Sequence, residues 1–160
     1  MNLTGSGAKQ TPTVYDLSAA STFPPAEKTL KTQLVVADPN AILLFDSQKI
    51  LIRSGAGTFS NIDNAQWADT LTKLVQARVV QSFENAHQLG SVSRPLEQLN
   101  AQYRLELGIR SFQLDTEPSP HAVVDITVRL VSEKGAVANA RNFTATVAAK
   151  SAQAADAVAA

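Results

Sequence analysis

One long amphipathic stretch, opening at Asp63-Asn64-Ala65-Gln66-Trp67-Ala68-Asp69-Thr70-Leu71, limits this chain to few folds. It holds the only tryptophan and stands between a pair of short strand-like segments and three longer ones. A helix with one broad apolar side must bury that side, and with strands before and after it the partner is a sheet. The order predicts one α+β domain over residues 14–160, with one mainly antiparallel sheet covered by a long helix and a C-terminal helix.

The long helix is expected to begin near Asn64, with Asp63 as N-cap and Gln66 completing a capping box. Trp67, Leu71, Leu74, Val75, Val79 and Phe83 then line one stripe, interrupted by Arg78, while Lys73, Gln76, Ala77, Glu84 and Asn85 fall mainly elsewhere. Gly90 ends the segment after a frayed His87-Gln88-Leu89 turn. Trp67 reads as an anchor between helix and sheet.

The strands follow from alternation. Tyr15-Asp16-Leu17 is a short edge segment, and Leu30, Thr32, Leu34 and Val36 share one face of the next strand. Residues 41–45 are too short and continuous to classify, and 49–53 form a further strand that leaves through Ser54-Gly55-Ala56-Gly57. Tyr103, Leu105, Leu107 and Ile109 alternate with polar partners, as do Ala122, Val124, Ile126, Val128 and Leu130. Glu133-Lys134-Gly135 is a hairpin turn, and residues 137–148 return with Phe143, Ala145 and Val147 as the inward set. Ser151 caps a final alanine-rich helix.

Lys plus Arg and Asp plus Glu are 14 each among 160 residues. The resulting zero net charge gives no electrostatic reason to expect nucleic acid or an anionic membrane surface. It also offers little protection against self-association. The absence of cysteine excludes disulfides, thiolate metal sites and cysteine nucleophiles. No apolar run is long enough to span a bilayer. Residues 1–13 are small and polar and read as a flexible leader or tether. Within them Leu3-Thr4-Gly5-Ser6 is open to two readings: a plain flexible end, or the close of a lipoprotein signal with Ser6 where cysteine would stand.

Chemistry is sparse. His87 and His121 lack partners at metal-ligand spacing and read as surface residues. Asp115, Glu117 and His121 form the only acid/imidazole cluster, read as a solvated turn, and a hydrolase would rest on it alone. Ser54-Gly55-Ala56-Gly57 lacks the Gly-Lys-Ser/Thr of a phosphate loop, and no Gly-x-Ser-x-Gly elbow occurs. Arg104 and Arg110 are explained by cross-strand pairing with acids such as Asp125. No catalytic, cofactor or metal site is therefore expected. The exposed loops at 54–61 and 115–120 are the candidates for partner contact, with Ser54, Gly55, Phe59, Asp115 and Glu117 as the residues.

Three segments carry a family resemblance: Tyr15-Asp16-Leu17; the strand Lys49 to Arg53 followed by Trp67-Ala68-Asp69-Thr70-Leu71; and Tyr103-Arg104-Leu105 running to Phe112. Ala140-Arg141-Asn142-Phe143 is a looser fourth. Together they resemble the ABC-type transport auxiliary lipoproteins, which include the PqiC-like proteins, over roughly residues 14–160. The resemblance implies a non-enzymatic lipoprotein at the periplasmic face of the Gram-negative outer membrane. It would assist a transport system for lipids or other hydrophobic molecules, beside an MCE-type protein, a permease and an ATPase, and would assemble into a ring. Two departures stand out: the family's acylated cysteine is missing, and its C-terminal helix normally continues past Ala160. Both fit an engineered soluble form. The rival reading is a small periplasmic carrier holding an apolar ligand between helix and sheet.

Overall fold

The computed structural model describes residues 7–95 and 100–160; Ser6, the position of the lipobox reading, lies outside the described residues. Nine strands and two helices follow one another: β1 (Thr13–Tyr15), β2 (Leu30–Val36), β3 (Asn40–Ala41), β4 (Lys49–Ser54), β5 (Thr58–Trp67), α1 (Leu71–Ala86), β6 (Leu89–Ser93), β7 (Tyr103–Asp115), β8 (His121–Ser132), β9 (Val137–Ala148) and α2 (Ala154–Ala159). All nine strands share one sheet.

The sheet is mixed and open rather than mainly antiparallel. β7, β8 and β9 form the expected antiparallel meander, and β4 pairs antiparallel with β5. The remaining pairings are parallel: β1 with β5, β2 with both β6 and β7, and β3 and β4 with β7. β7 is the spine. Its one edge carries β8, and its other edge receives β2 at Tyr103–Leu105, β3 at Gly108 and Ile109, and β4 at Leu114 and Asp115.

The helix starts later than its periodicity suggests. Asn64 to Trp67 are the end of β5, and α1 begins at Leu71 with Thr70 as N-cap and no side-chain cap bond, so Asp63 caps nothing. Asn64 takes a left-handed φ of 55°, a conformation asparagine tolerates better than most residues. It sits in a bulge, where two steps of β4 (Lys49 to Leu51) face five of β5 (Asn61 to Gln66). Beyond the bulge, strand hydrogen bonding resumes, with the Trp67 N–H donating to the Gln48 carbonyl and the Ala68 N–H to that of Tyr15.

From α1, Leu71, Leu74, Val75 and Val80 pack onto Leu34 and Val36 of β2 and onto Leu105, Leu107 and Ile109 of β7. Gln76, expected outside the stripe, is buried and donates from Nε2 to the Val36 carbonyl at 3.0 Å and to Asp38 Oδ1 at 3.0 Å. His87 ends the helix in a left-handed conformation, and Leu89 and Gly90 already belong to β6 rather than to a helix end. Gly90 is needed for close approach: a Cβ there would lie 3.2–3.3 Å from the backbone of Lys31 and Thr32 in β2. Ser151 contributes to the start of α2 by accepting from the Gln153 N–H at 3.1 Å and donating to Asp156 Oδ2 at 2.6 Å, with Gln153 itself as N-cap.

Candidate functional site

Parallel pairing of β4 with β7 aligns Arg53 with Asp115 and brings the two candidate loops to the same end of the sheet. Asp115 is the last residue of β7, not part of a solvated turn, and it is buried. Arg53 grips it with two nitrogens, Nε donating to Oδ1 at 3.0 Å and the terminal nitrogen to Oδ2. Gln113 Nε2 adds a donor to Oδ1 at 3.1 Å, and the Thr116 N–H closes the corner on the Arg53 carbonyl at 3.1 Å. His121, which begins β8 directly across from Asp115, is also partly buried rather than on the surface. Its Nδ1 is 2.7 Å from the Ser119 carbonyl and its Nε2 3.9 Å from Asp115 Oδ2.

A shallow cavity of about 210 Å³ over this cluster is lined by Arg53, Gly55, Ala56, Asp115 and Glu117. A buried carboxylate held by a two-point guanidinium contact is structurally committed, because moving it would strand a charge out of water. Among the described residues, no group of three potential metal ligands assembles. Four of the five expected contact residues thus share one sheet end, but only Ser54, Gly55 and Glu117 are exposed there. Phe59 is not in a loop at all. It lies in β5 and turns inward, meeting Phe45 edge-on with ring centroids 6.2 Å apart.

Along the same face of the meander, away from α1, Arg104 pairs with Glu106 at 2.8 Å, Arg129 with Glu106 at 3.3 Å, and Arg110 with Asp125 at 3.8 Å. Cross-strand pairing is found for Arg110 with Asp125, whereas Arg104 pairs with Glu106 of its own strand.

The helix side of the meander is different in kind. Ala122, Val124, Ile126, Val128 and Leu130 of β8 face the same way as Val147, Ala145, Phe143, Arg141 and Asn139 of β9, residue opposite residue. Phe143, Ala145 and Val147 do form one inward-turned set, yet nothing among the described residues covers them well: Phe143 is 53% and Val147 47% exposed. A groove of about 530 Å³ runs from Leu30, Phe83 and Leu89 across Tyr103 and Leu130 to Phe143. A smaller one of about 250 Å³ lies between α2 and the sheet, with Trp67 and Phe112 among its walls. Alternation marks the facing of these side chains but not whether another layer lies over them.

The segments that carry the family resemblance converge around that second groove. Leu17, Trp67 and Phe112 line it together, Tyr15 holds the backbone of Ala68, and Trp67 meets Phe112 edge-on at 5.9 Å. The family model for the ABC-type transport auxiliary lipoprotein component matches residues 15–160. The chain belongs to that family. Its members are transport auxiliary components and not a known family of enzymes. A curated relative, "Uncharacterized protein bll6063" of Bradyrhizobium diazoefficiens, is 32% identical over 139 residues, covering 87% of this chain. The match spans only 38% of that relative's length. Among solved structures, protein XCC0632 from Xanthomonas campestris superposes with a TM-score of 0.85 at 27% identity, over 92% of this chain and 84% of that one. An uncharacterized protein at 13% identity shares the fold, with a TM-score of 0.69 over 93% and 88% of the two chains. Among the described residues, no helix is long and apolar enough to cross a membrane.

Proposed function

We propose that this family member is a non-enzymatic accessory subunit of an ABC/MCE-type envelope transport system for lipids or other hydrophobic substrates. It works through oligomerisation and partner binding. In the native form an N-terminal lipid on the leader (residues 1–13) anchors the single domain at 14–160 to the periplasmic face of the outer membrane. The observation that carries this reading is the apolar helix-side face of β8 and β9, open to solvent in a chain of a transport auxiliary family. Such a face on an isolated domain favours association, whereas Asp115, the one buried acid among the described residues, is already engaged by Arg53. The rim formed by Ser54, Gly55 and Glu117 is the surface for the transport partner, an MCE-type protein.

Two measurements test this. Light scattering on the purified chain is expected to give a mass several times 17.0 kDa, and co-purification with the MCE-type partner is expected to fail when Glu117 is replaced by Lys. A monomer at high concentration that also ignores the partner would sink the reading. The groove of about 530 Å³ favours the rival, an apolar-ligand carrier, whose signature is a lipid recovered by extraction from a monomeric protein.

A further inference from the structure

The turn between β3 and β4 carries the most exposed large apolar residues in the described chain, Leu43 at 87% and Ile42 at 65%. It is no floppy loop. The N–H groups of Phe45 and Asp46 both donate to the Ile42 carbonyl at 2.9 Å, buried Phe45 anchors the turn, and Asp46 accepts from the Thr72 hydroxyl at 2.7 Å. Two apolar side chains are therefore held out into water as a rigid knob, with exposed Asp46 in the same turn.

A receiving surface has its far wall on the other flank of the sheet. Gly108 and Ile109 of β7 pair with β3 on one edge and with β8 on the other, so the knob and the β8–β9 hairpin leave the spine in opposite directions. β9 is exposed along its whole length and forms the far wall of the larger groove through Phe143 and Arg141. Natural edge strands are guarded by lysine, proline or bulges. From Val137 to Ala148 there is no proline and one charge, Arg141. That guanidinium stands on the groove face beside Asn139, with no hydrogen bond or ion pair among the described residues.

We infer that the β9 groove receives the Ile42–Leu43 knob of a second copy of this chain, with Asp46 of that copy meeting Arg141. Apolar knob matches apolar groove, and an acid with no ion-pair partner among the described residues, its Oδ1 already bonded to Thr72, matches a cation likewise without one. Knob and groove are different surfaces, and the groove's β9 wall stands across β7 from the knob, so the contact is head-to-tail and propagates around a closed ring or along a filament. The inference rests on the oligomeric reading above and assigns its surfaces.

The test uses the full chain with Leu43→Asp and Phe143→Asp made separately, both at exposed positions that folding tolerates. Wild type is expected to be oligomeric by light scattering, and each variant a 17.0 kDa monomer. Mixed in equal amounts, the two variants are expected to form a dimer and stop, since one keeps an intact groove and the other an intact knob. Dimer formation also shows that both variants are folded. Arg141→Glu is expected to weaken assembly at least tenfold at low salt and less at high salt. If wild type is oligomeric and both variants remain so, these surfaces are wrong while the oligomeric reading stands. If the variants are monomers that do not pair on mixing, the contact is not head-to-tail and the inference falls. A wild-type monomer overturns both.

Discussion

Trp67 and Phe112 meet edge to face, their ring centroids 5.9 Å apart and their planes at 80°. One closes β5 and the other lies on β7, and β4 stands between those strands in the sheet. The contact therefore ties the outer strands to the spine across a whole strand. Truncating Trp67 to Ala is expected to cost about 3–5 kcal/mol in urea unfolding, and a double-mutant cycle with Phe112→Leu to return a coupling of about 0.5–1.5 kcal/mol. A coupling near zero would mean that the rings merely share a cavity. Since Trp67 is the only tryptophan, its fluorescence follows the same contact directly.

Arg53→Ala leaves the Asp115 carboxylate buried with Gln113 as its remaining close donor. Arg53 is partly exposed, so the expected loss is about 1–3 kcal/mol, below that of a fully buried pair. Replacing both residues, as Arg53→Met with Asp115→Leu, is expected to recover part of that loss. A double variant less stable than Arg53→Ala would show that the carboxylate has a role beyond its pairing with arginine.

Gly90→Ala and Gly108→Ala separate two kinds of crowding. At Gly90 the obstacle is the β2 backbone, which yields only by spreading two paired strands, and a cost of about 1–3 kcal/mol is expected. At Gly108 a Cβ would come 2.5 Å from the Thr127 hydroxyl oxygen, which can rotate away. That variant is expected to lose less, and Thr127→Ala made with it should lower the loss further. Thermal unfolding of the three variants checks the order.

Gln76→Leu keeps the helix packed but removes the donor to the Val36 carbonyl and to Asp38. A loss of about 1–3 kcal/mol is expected, whereas Lys73→Leu on the exposed side should stay within about 0.5 kcal/mol.

The meander was legible because Tyr103 to Ile109 and, Val123 apart, Ala122 to Leu130 alternate apolar side chains with polar residues or glycine. The bulge between Ile109 and Ser111, which moves the apolar face of β7 to Phe112 and Leu114, left no mark in that pattern. β5 was not legible, because the Asn64 bulge interrupts its alternation and Trp67, four residues before Leu71, imitates a helical repeat. β6 escaped notice as five residues containing a glycine whose close contact is with Lys31, fifty-nine positions earlier in the chain. The parallel pairings are equally non-local: nothing near Leu34 announces that it lies beside Tyr103. At the candidate site, residues 54–57 and 115–120 were each recognisable from their turn chemistry. Their meeting depends on the register of Arg53 with Asp115, and that register also buries Asp115. The Ile42–Leu43 knob gave no periodic signal because it is two residues long.

β2, β3 and β4 form no ladder with one another; each reaches the sheet only through β7. A chain emerging from its N-terminus therefore makes three strands that wait for a fourth, and until Tyr103 to Asp115 arrive the β1–β5–β4 unit and the short β2–β6 ladder have no common frame. Assembly is governed by contacts distant in sequence, which slows folding and leaves apolar strands open in the interval. The same dependence gives amide exchange a definite hierarchy, with β7 the last element to open and the strands hung from it released together once it does.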